Sequence, residues 1–167
     1  ENDPVIDIAD NIRQVAEALK ATAAGLGIDL PSIRLEPGRS IVADAGMTLY
    51  TVGTVKRIPG YKNYVSVDGG MTDNPRFALY RSPYTVFIAN KMNEKCDMEC
   101  SVVGRCCESG DIIQEHVMVP SSVCRGDICA VATTGAYNYS MASNYNRIGR
   151  LPVSMINNGK FGDILSS

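Results

Sequence analysis

Apolar residues recur at Ile8, Ile12, Val15, Ala16, Leu19, Ala23 and Ala24, and Gly25 and Gly27 follow as stop signals. That three-to-four spacing predicts a helix from Ile6 to Gly25. Pro31 then opens a short strand, Ser32-Ile33-Arg34-Leu35, which ends at Glu36, and Arg39 to Ala45 reads as a short helix closed by Gly46. From Met47 the pattern changes. Met47 to Ile58 and Tyr61 to Val67 are rich in Val, Thr, Tyr and Ile around a Pro59-Gly60 turn, which predicts a hairpin. Further strand-like runs follow at Tyr84 to Ala89, Met98 to Val103, Ile112 to Val119, Asp127 to Thr133 and Leu151 to Asn157, separated mostly by Gly, Pro, Asn or Ser clusters. The expected fold is therefore mainly β with some α. Residues 1–45 read as the last helix-strand-helix portion of a β/α barrel or sheet, and residues 46–167 as an antiparallel β-barrel or sandwich.

Polar chemistry gathers where these elements end. In Glu36-Pro37-Gly38-Arg39-Ser40, Pro37 cannot donate a ladder hydrogen bond and Gly38 lets the backbone turn close to a ligand. The strand should stop there with the N–H groups of Gly38 and Arg39 exposed to an anion. The Arg39 fork suits phosphate or carboxylate, and Glu36 suits a protonated nitrogen; the plainer alternative is a strand-to-helix turn with a surface ion pair. In Asp73-Asn74-Pro75-Arg76-Phe77-Ala78-Leu79-Tyr80, Asn74 is expected to cap a short helix with Pro75 at its first position. Arg76 and Tyr80 then share one helical face, able to grip a carboxylate or simply to stack on each other. Within Gly104-Arg105-Cys106-Cys107-Glu108-Ser109-Gly110-Asp111, Cys107 is a free thiol beside an acid in a tight loop, a candidate proton donor. Tyr137, in Gly135-Ala136-Tyr137 after a buried-looking strand, can offer a hydroxyl to phosphate or a ring to a flat ligand.

Composition narrows the function classes. The 167 residues carry a net charge of −2, with no bulk electrostatic signal for nucleic acid or an anionic membrane, and no apolar run approaches the ~20 residues of a membrane span. The amino end, Glu1-Asn2-Asp3-Pro4, lacks the basic and apolar regions of a signal peptide, so a cytoplasmic location is expected, with the six cysteines as free thiols. No Cys-x-x-Cys pair occurs and His116 is the only histidine, so no metal site is expected. The chain opens at Glu1 without an initiator methionine, and a processed or excised piece is expected.

Taken in order, Glu-Pro-Gly-Arg-Ser, Asp-Gly-Gly-Met, Asp-Asn-Pro-Arg-x-Ala-Leu-Tyr, Cys-Glu-Ser-Gly-Asp, Gly-Ala-Tyr and Met-Ala-Ser-Asn-Tyr-Asn resemble the carboxyl-terminal half of the diaminopimelate decarboxylase family, across roughly residues 30–157. These are pyridoxal-phosphate enzymes of lysine biosynthesis, with an amino-terminal β/α barrel, a carboxyl-terminal β-domain and dimers that share active sites. The resemblance implies that Glu36 pairs with the cofactor's pyridinium nitrogen. It implies further that the turn at Pro37, Gly38 and Arg39 binds the cofactor phosphate, Arg39 also reaching substrate, and that Arg76 and Tyr80 hold a substrate carboxylate. Cys107 would protonate the substrate carbon from the neighbouring subunit, Glu108 would bind the distal amino group, and Tyr137 would touch both cofactor and substrate.

The lysine that carries the cofactor, the histidine stacked on its ring and the glycine-rich phosphate loop belong to earlier barrel strands in this family, and nothing here matches them. None of Lys20, Lys56, Lys62, Lys91, Lys95 or Lys160 has the expected context. The chain alone is therefore expected to be inactive and to need the upstream barrel half as a partner. The first helix would otherwise expose an apolar stripe. Two alternatives stay open: a decarboxylase of ornithine, arginine or carboxynorspermidine, and a non-catalytic β-barrel interaction module.

Overall fold

The computed structural model describes residues 7–165. Two compact units divide at Pro37/Gly38. In the first, helix α1 (Ile8–Leu26) starts at Asp7, whose carboxylate accepts the Ala9 and Asp10 N–H groups, and ends at Gly27 in the left-handed region. The predicted start at Ile6 lies outside the described residues. Ile8, Ile12 and Val15 stand exposed on this helix. The predicted strand from Ser32 to Glu36 does not form: residues 28–38 are neither helix nor strand, and Ile28, Leu30, Ile33 and Leu35 are exposed. A parallel strand is completed by ladder bonds from its neighbours, and no other β/α unit occurs among the described residues.

The second unit opens with helix α2 (Arg39–Val42), which runs into a 3-10 turn at Ala43–Ala45. A six-stranded sheet follows. Strand β1 (Met47–Ile58) turns at Pro59-Gly60, where Gly60 has φ 73°, into β2 (Lys62–Val67), and the two pair antiparallel with Ile58 opposite Lys62. The remaining strands are β3 (Val86–Ile88), β4 (Cys96–Val103), β5 (Ile112–Pro120) and β6 (Ile128–Ala132), in the spatial order β3-β6-β1-β2-β4-β5. The long strand β1 serves two partners, its first half pairing with β6 and its second half with β2, across a register shift between Val52 and Val55. The sheet curls until its edge strands β3 and β5 approach each other, and the Tyr84 N–H, just ahead of β3, donates to Gln114 of β5 at 2.9 Å. This nearly closed barrel encloses Tyr50, Val52, Val65, Val102, Ile113, Val119 and Val131, all almost without exposure. Each such aliphatic side chain contributes about 1.5–3 kcal/mol by leaving water.

The mainly antiparallel expectation holds with one exception. Strands β2 and β4 run parallel, Tyr64 opposite Ser101. The segment between them, which holds helix α3 (Arg76–Tyr80) and β3, is long enough for the crossover that parallel pairing needs. A two-stranded sheet stands apart from the barrel, with β7 (Val153–Asn157) antiparallel to β8 (Lys160–Leu165). Strand β8 was not expected from the sequence, although Asn158-Gly159, both at positive φ, is the dipeptide of a tight hairpin turn. No described helix is long and apolar enough to cross a membrane.

Candidate functional site

The barrel end that carries α2, α3 and the segment after β6 is held by backbone contacts. Gly135 N–H donates to Ala43 O at 3.0 Å and Thr134 N–H to Gly46 O at 3.1 Å, while the Thr134 and Thr48 hydroxyls bond at 2.8 Å. A Cβ on Gly135 would overlap the Val42 carbonyl oxygen, and one on Gly46 would overlap the Gly135 backbone, so this seam admits only glycine on both sides. It seats the start of α2 against Tyr137. A Cβ on Gly38 would overlap the Tyr137 hydroxyl, so this phenol rests on the bare α-carbon of Gly38. Tyr137 has φ 73° and immediately precedes helix α4 (Asn138–Met141), a left-handed conformation imposed on a bulky residue by the turn off β6. The backbone N–H groups of Gly38 and Arg39 donate to no acceptor among the described residues.

Beside this contact lies Arg76, only 7% exposed. Its guanidinium stacks over the Tyr80 ring at 5.2 Å and over the Tyr137 ring at 5.3 Å. Its remaining partners are weak, with Nη1 donating to Met141 Sδ at 3.7 Å and Nη2 to Ser82 Oγ at 3.5 Å. None of the ion pairs among the described residues includes Arg76. A buried cation that faces two aromatic rings and lacks a carboxylate partner has the charge and shape to receive an anion. The expected pairing of Arg76 with Tyr80 on one helical face is present, and Tyr137 completes it from another element. Asn74, expected to cap this helix, does not. Pro75 occupies the cap position with no side-chain bond, and the Asn74 amide is turned inward, fully buried, with neither polar atom partnered among the described residues. The tight turn in which Asn74 N–H donates to Gly70 O at 2.9 Å carries the side chain into the interior instead of back along the helix.

The Gly69–Asp73 turn is itself pinned from below. The Tyr50 hydroxyl donates to Asp73 Oδ2 at 2.6 Å inside the barrel. Burial, with the Asp73 carboxylate beside it, pushes the Tyr50 phenol well above its ordinary range, and burial raises the Asp73 carboxyl as well. Asp111, 4% exposed, accepts Met71 N–H at 2.6 Å and Cys106 N–H at 2.7 Å, which ties this turn to the cysteine loop. Burial and then Asp111 raise the Cys106 thiol.

Cys107 is exposed in the loop after β4. Its N–H donates to Asn146 Oδ1 at 2.8 Å and its carbonyl accepts the Tyr145 hydroxyl at 3.4 Å. Glu108, also exposed, accepts from Ser109 Oγ at 3.2 Å and Gly110 N–H at 3.1 Å. The structure thus brings Gly38, Arg76, Tyr80 and Tyr137 together, with Arg39 adjoining Gly38 and without a side-chain partner among the described residues. It joins Cys107 and Glu108 to none of these by a hydrogen bond or ion pair. Glu36 and Pro37 are exposed at the end of the first unit, and the Glu36 carboxylate makes no hydrogen bond or ion pair among the described residues. The roles of Met141, Ser82, Asp111, Tyr145 and Asn146 escaped sequence reasoning: Met141, Tyr145, Asn146 and the Asp111–Met71 bond act across 38 or more positions, and the short-range bonds of Ser82 and Asp111 carry no motif. All six cysteines are free, and no described cluster of His, Cys, Asp and Glu could hold a metal ion.

The nearly closed barrel, with Arg76, Tyr80 and Tyr137 gathered at one end, has counterparts among known proteins. Residues 5–135 match the family model of the pyridoxal-dependent decarboxylase C-terminal sheet domain, and the chain belongs to that family. Within it, the relatives are specific. The diaminopimelate decarboxylase of Staphylococcus aureus (strain COL) is 47% identical over 99% of this chain and 39% of its own length. That of Bacillus subtilis (strain 168) is 48% identical over 96% of this chain and 36% of its own length. The crystal structure of diaminopimelate decarboxylase from M. jannaschii in co-complex with L-lysine superposes with a TM-score of 0.82 at 32% identity, covering 99% of this chain and 37% of that one. The chain therefore spans between a third and two-fifths of the length of the relatives it matches.

Proposed function

We propose that this chain is the carboxyl-terminal part of a diaminopimelate decarboxylase, which converts meso-2,6-diaminopimelate to L-lysine and carbon dioxide in the cytoplasm as a homodimer. The observation that carries the reading is the buried Arg76 guanidinium, stacked on Tyr80 and Tyr137 with no acidic partner among the described residues and set beside the Gly38–Tyr137 contact. An uncompensated buried cation costs on the order of several kcal/mol, which a bound carboxylate offsets.

The residues present fit pyridoxal phosphate. Gly38 and Arg39 offer free backbone N–H donors, and the bare α-carbon of Gly38 leaves the Tyr137 hydroxyl a close approach to the same spot. When bound, the cofactor supplies the electron sink for the electrons left by departing carbon dioxide. Gly38 and Arg39 would hold its phosphate, Pro37 would keep that turn free of a ladder bond, and Tyr137 would bind at the phosphate end. Glu36 would face the ring nitrogen as a carboxylate. Arg76, Tyr80 and Arg39 would orient substrate carboxylates, so that the bond to be broken is fixed before reaction. Glu108 would receive the distal amino group. Cys107 would deliver a proton from its thiol to the substrate carbon after carbon dioxide leaves, reaching the active site of the partner subunit.

The test measures carbon dioxide release from meso-diaminopimelate, with ornithine, arginine and lysine as controls, by this chain alone and mixed with the separately produced barrel half. Release from the mixture only, and from diaminopimelate only, is expected. Release from one of the other amino acids would replace the substrate assignment. No release from an associated, cofactor-loaded mixture would overturn the enzyme reading. In a full-length enzyme, Cys107→Ala is expected to lower kcat by orders of magnitude with cofactor retained.

A further inference from the structure

Three backbone polar groups of the cysteine loop are gripped by side chains, two of them from far along the sequence. Asp111 accepts the Cys106 N–H, Asn146 accepts the Cys107 N–H, and Tyr145 donates its hydroxyl to the Cys107 carbonyl. The grip from residues 145 and 146 spans 38 to 39 positions in sequence and rests on an unusual backbone. Asn146 has φ 54° and ψ 19°, and Arg147 follows at φ 59°, two successive left-handed residues inside a 3-10 turn. Such conformations are costly outside glycine and persist where the surrounding structure holds them. The hold is visible: Asn144 Nδ2 donates to Ile148 O at 2.9 Å across the turn, and Ser143 N–H donates to Thr72 O at 2.8 Å, anchoring it beside the segment that leads into α3. Hydrogen bonds at an exposed loop can be made to water at little loss, so neither exposed side chain is needed here to satisfy the Cys107 backbone. What water cannot supply is a fixed place for the thiol.

We propose that Asn146 and Tyr145 are positioning residues for Cys107: they fix its backbone so that the thiol is held at one distance and angle from the substrate carbon. The proposal rests on the reading of Cys107 as the proton donor. Asn146 is the stronger of the two, because its amide oxygen meets the Cys107 N–H at normal hydrogen-bond length and its residue type tolerates the left-handed backbone. Tyr145, at 3.4 Å, restrains the carbonyl more loosely.

The experiment uses a full-length diaminopimelate decarboxylase carrying this chain as its carboxyl-terminal part. Asn146→Gly keeps the left-handed backbone available and removes only the acceptor; Asn146→Asp keeps both. Asn146→Gly is expected to lower kcat about 10- to 100-fold with KM for diaminopimelate within about twofold. Asn146→Asp is expected to restore kcat, and Tyr145→Phe to lower it by a smaller factor. In the Cys107→Ala background, Asn146→Gly is expected to cause no further loss, since it acts only through the missing thiol. Unchanged kcat in Asn146→Gly while Cys107→Ala is crippled would overturn the positioning role alone. So would equal losses in Asn146→Gly and Asn146→Asp, or a further fall in the double variant. Full turnover in Cys107→Ala would instead remove the proton-donor reading on which the proposal stands.

Discussion

Replacing Gly135 by alanine tests how tightly the seam between α2 and the segment after β6 controls the site. The added Cβ would overlap the Val42 carbonyl oxygen and lie 2.9 Å from Gly46 N and 3.0 Å from Ala43 O. All three are backbone atoms, so no side chain can swing aside. Relief requires α2 and its 3-10 turn to move away, which breaks the bonds from Gly135 N–H to Ala43 O and from Thr134 N–H to Gly46 O. Two lost backbone bonds at about 1 kcal/mol each, plus about 1–3 kcal/mol of overpacking strain, predict a destabilisation of about 3–5 kcal/mol. The same movement separates Gly38 from the Tyr137 hydroxyl. Gly135→Ala in a full-length enzyme should therefore lower the urea midpoint and release pyridoxal phosphate on dialysis. Gly149→Ala, where a Cβ would meet nothing within 4 Å, should do neither. A loss below about 1 kcal/mol in Gly135→Ala, with cofactor held as in the parent, would refute the account of the seam.

Two further outcomes are expected. Arg76→Lys keeps the charge but loses the planar group that lies over both tyrosine rings, and should raise KM for diaminopimelate about 10-fold or more; an unchanged KM would remove Arg76 from the substrate site. Asp127 is buried, which by itself would raise its carboxyl, but bonds from Asn90, Lys91 and the Cys124 N–H bring it down to about 2. Its stabilising effect is fully present above the ordinary value of 3.8 and is lost as pH falls from there through about 2. Asp127→Asn should cost about 1 kcal/mol at pH 7, an advantage of the parent that shrinks in urea titrations repeated at pH 4, 3 and 2; a pH-independent difference would refute the charge-based account.

The strands were legible because alternation and turn residues are local signals. Met47 to Ile58 and its Pro59-Gly60 turn needed nothing from the rest of the chain. The segment at Ser32 to Leu35 failed as a strand for the opposite reason, since its pattern describes a strand whose partners are not among the described residues. Arg76 and Tyr80 could be placed on one face from their spacing of four, whereas Tyr137 joins them only through the path of β6. Asn74 misled because Asn-Pro before a helical run reads as a cap, while the turn closed by Gly70 O buries the amide. The clamp on Cys107 was beyond reach, because nothing local to Tyr145 or Asn146 names a partner 38 or 39 residues earlier.

The division of β1 between two partners also predicts an order of events during folding. Its hairpin with β2 is local and is expected to form early, whereas its first half pairs with β6, so that Thr48 meets Thr134 only when a loop of 86 residues closes. That late closure is the same event that brings Gly135 against Gly46 and Tyr137 against Gly38. Barrel closure and the Gly38–Tyr137 contact are thus coupled: whatever loosens the pairing of β1 with β6 also loosens the seat of Tyr137.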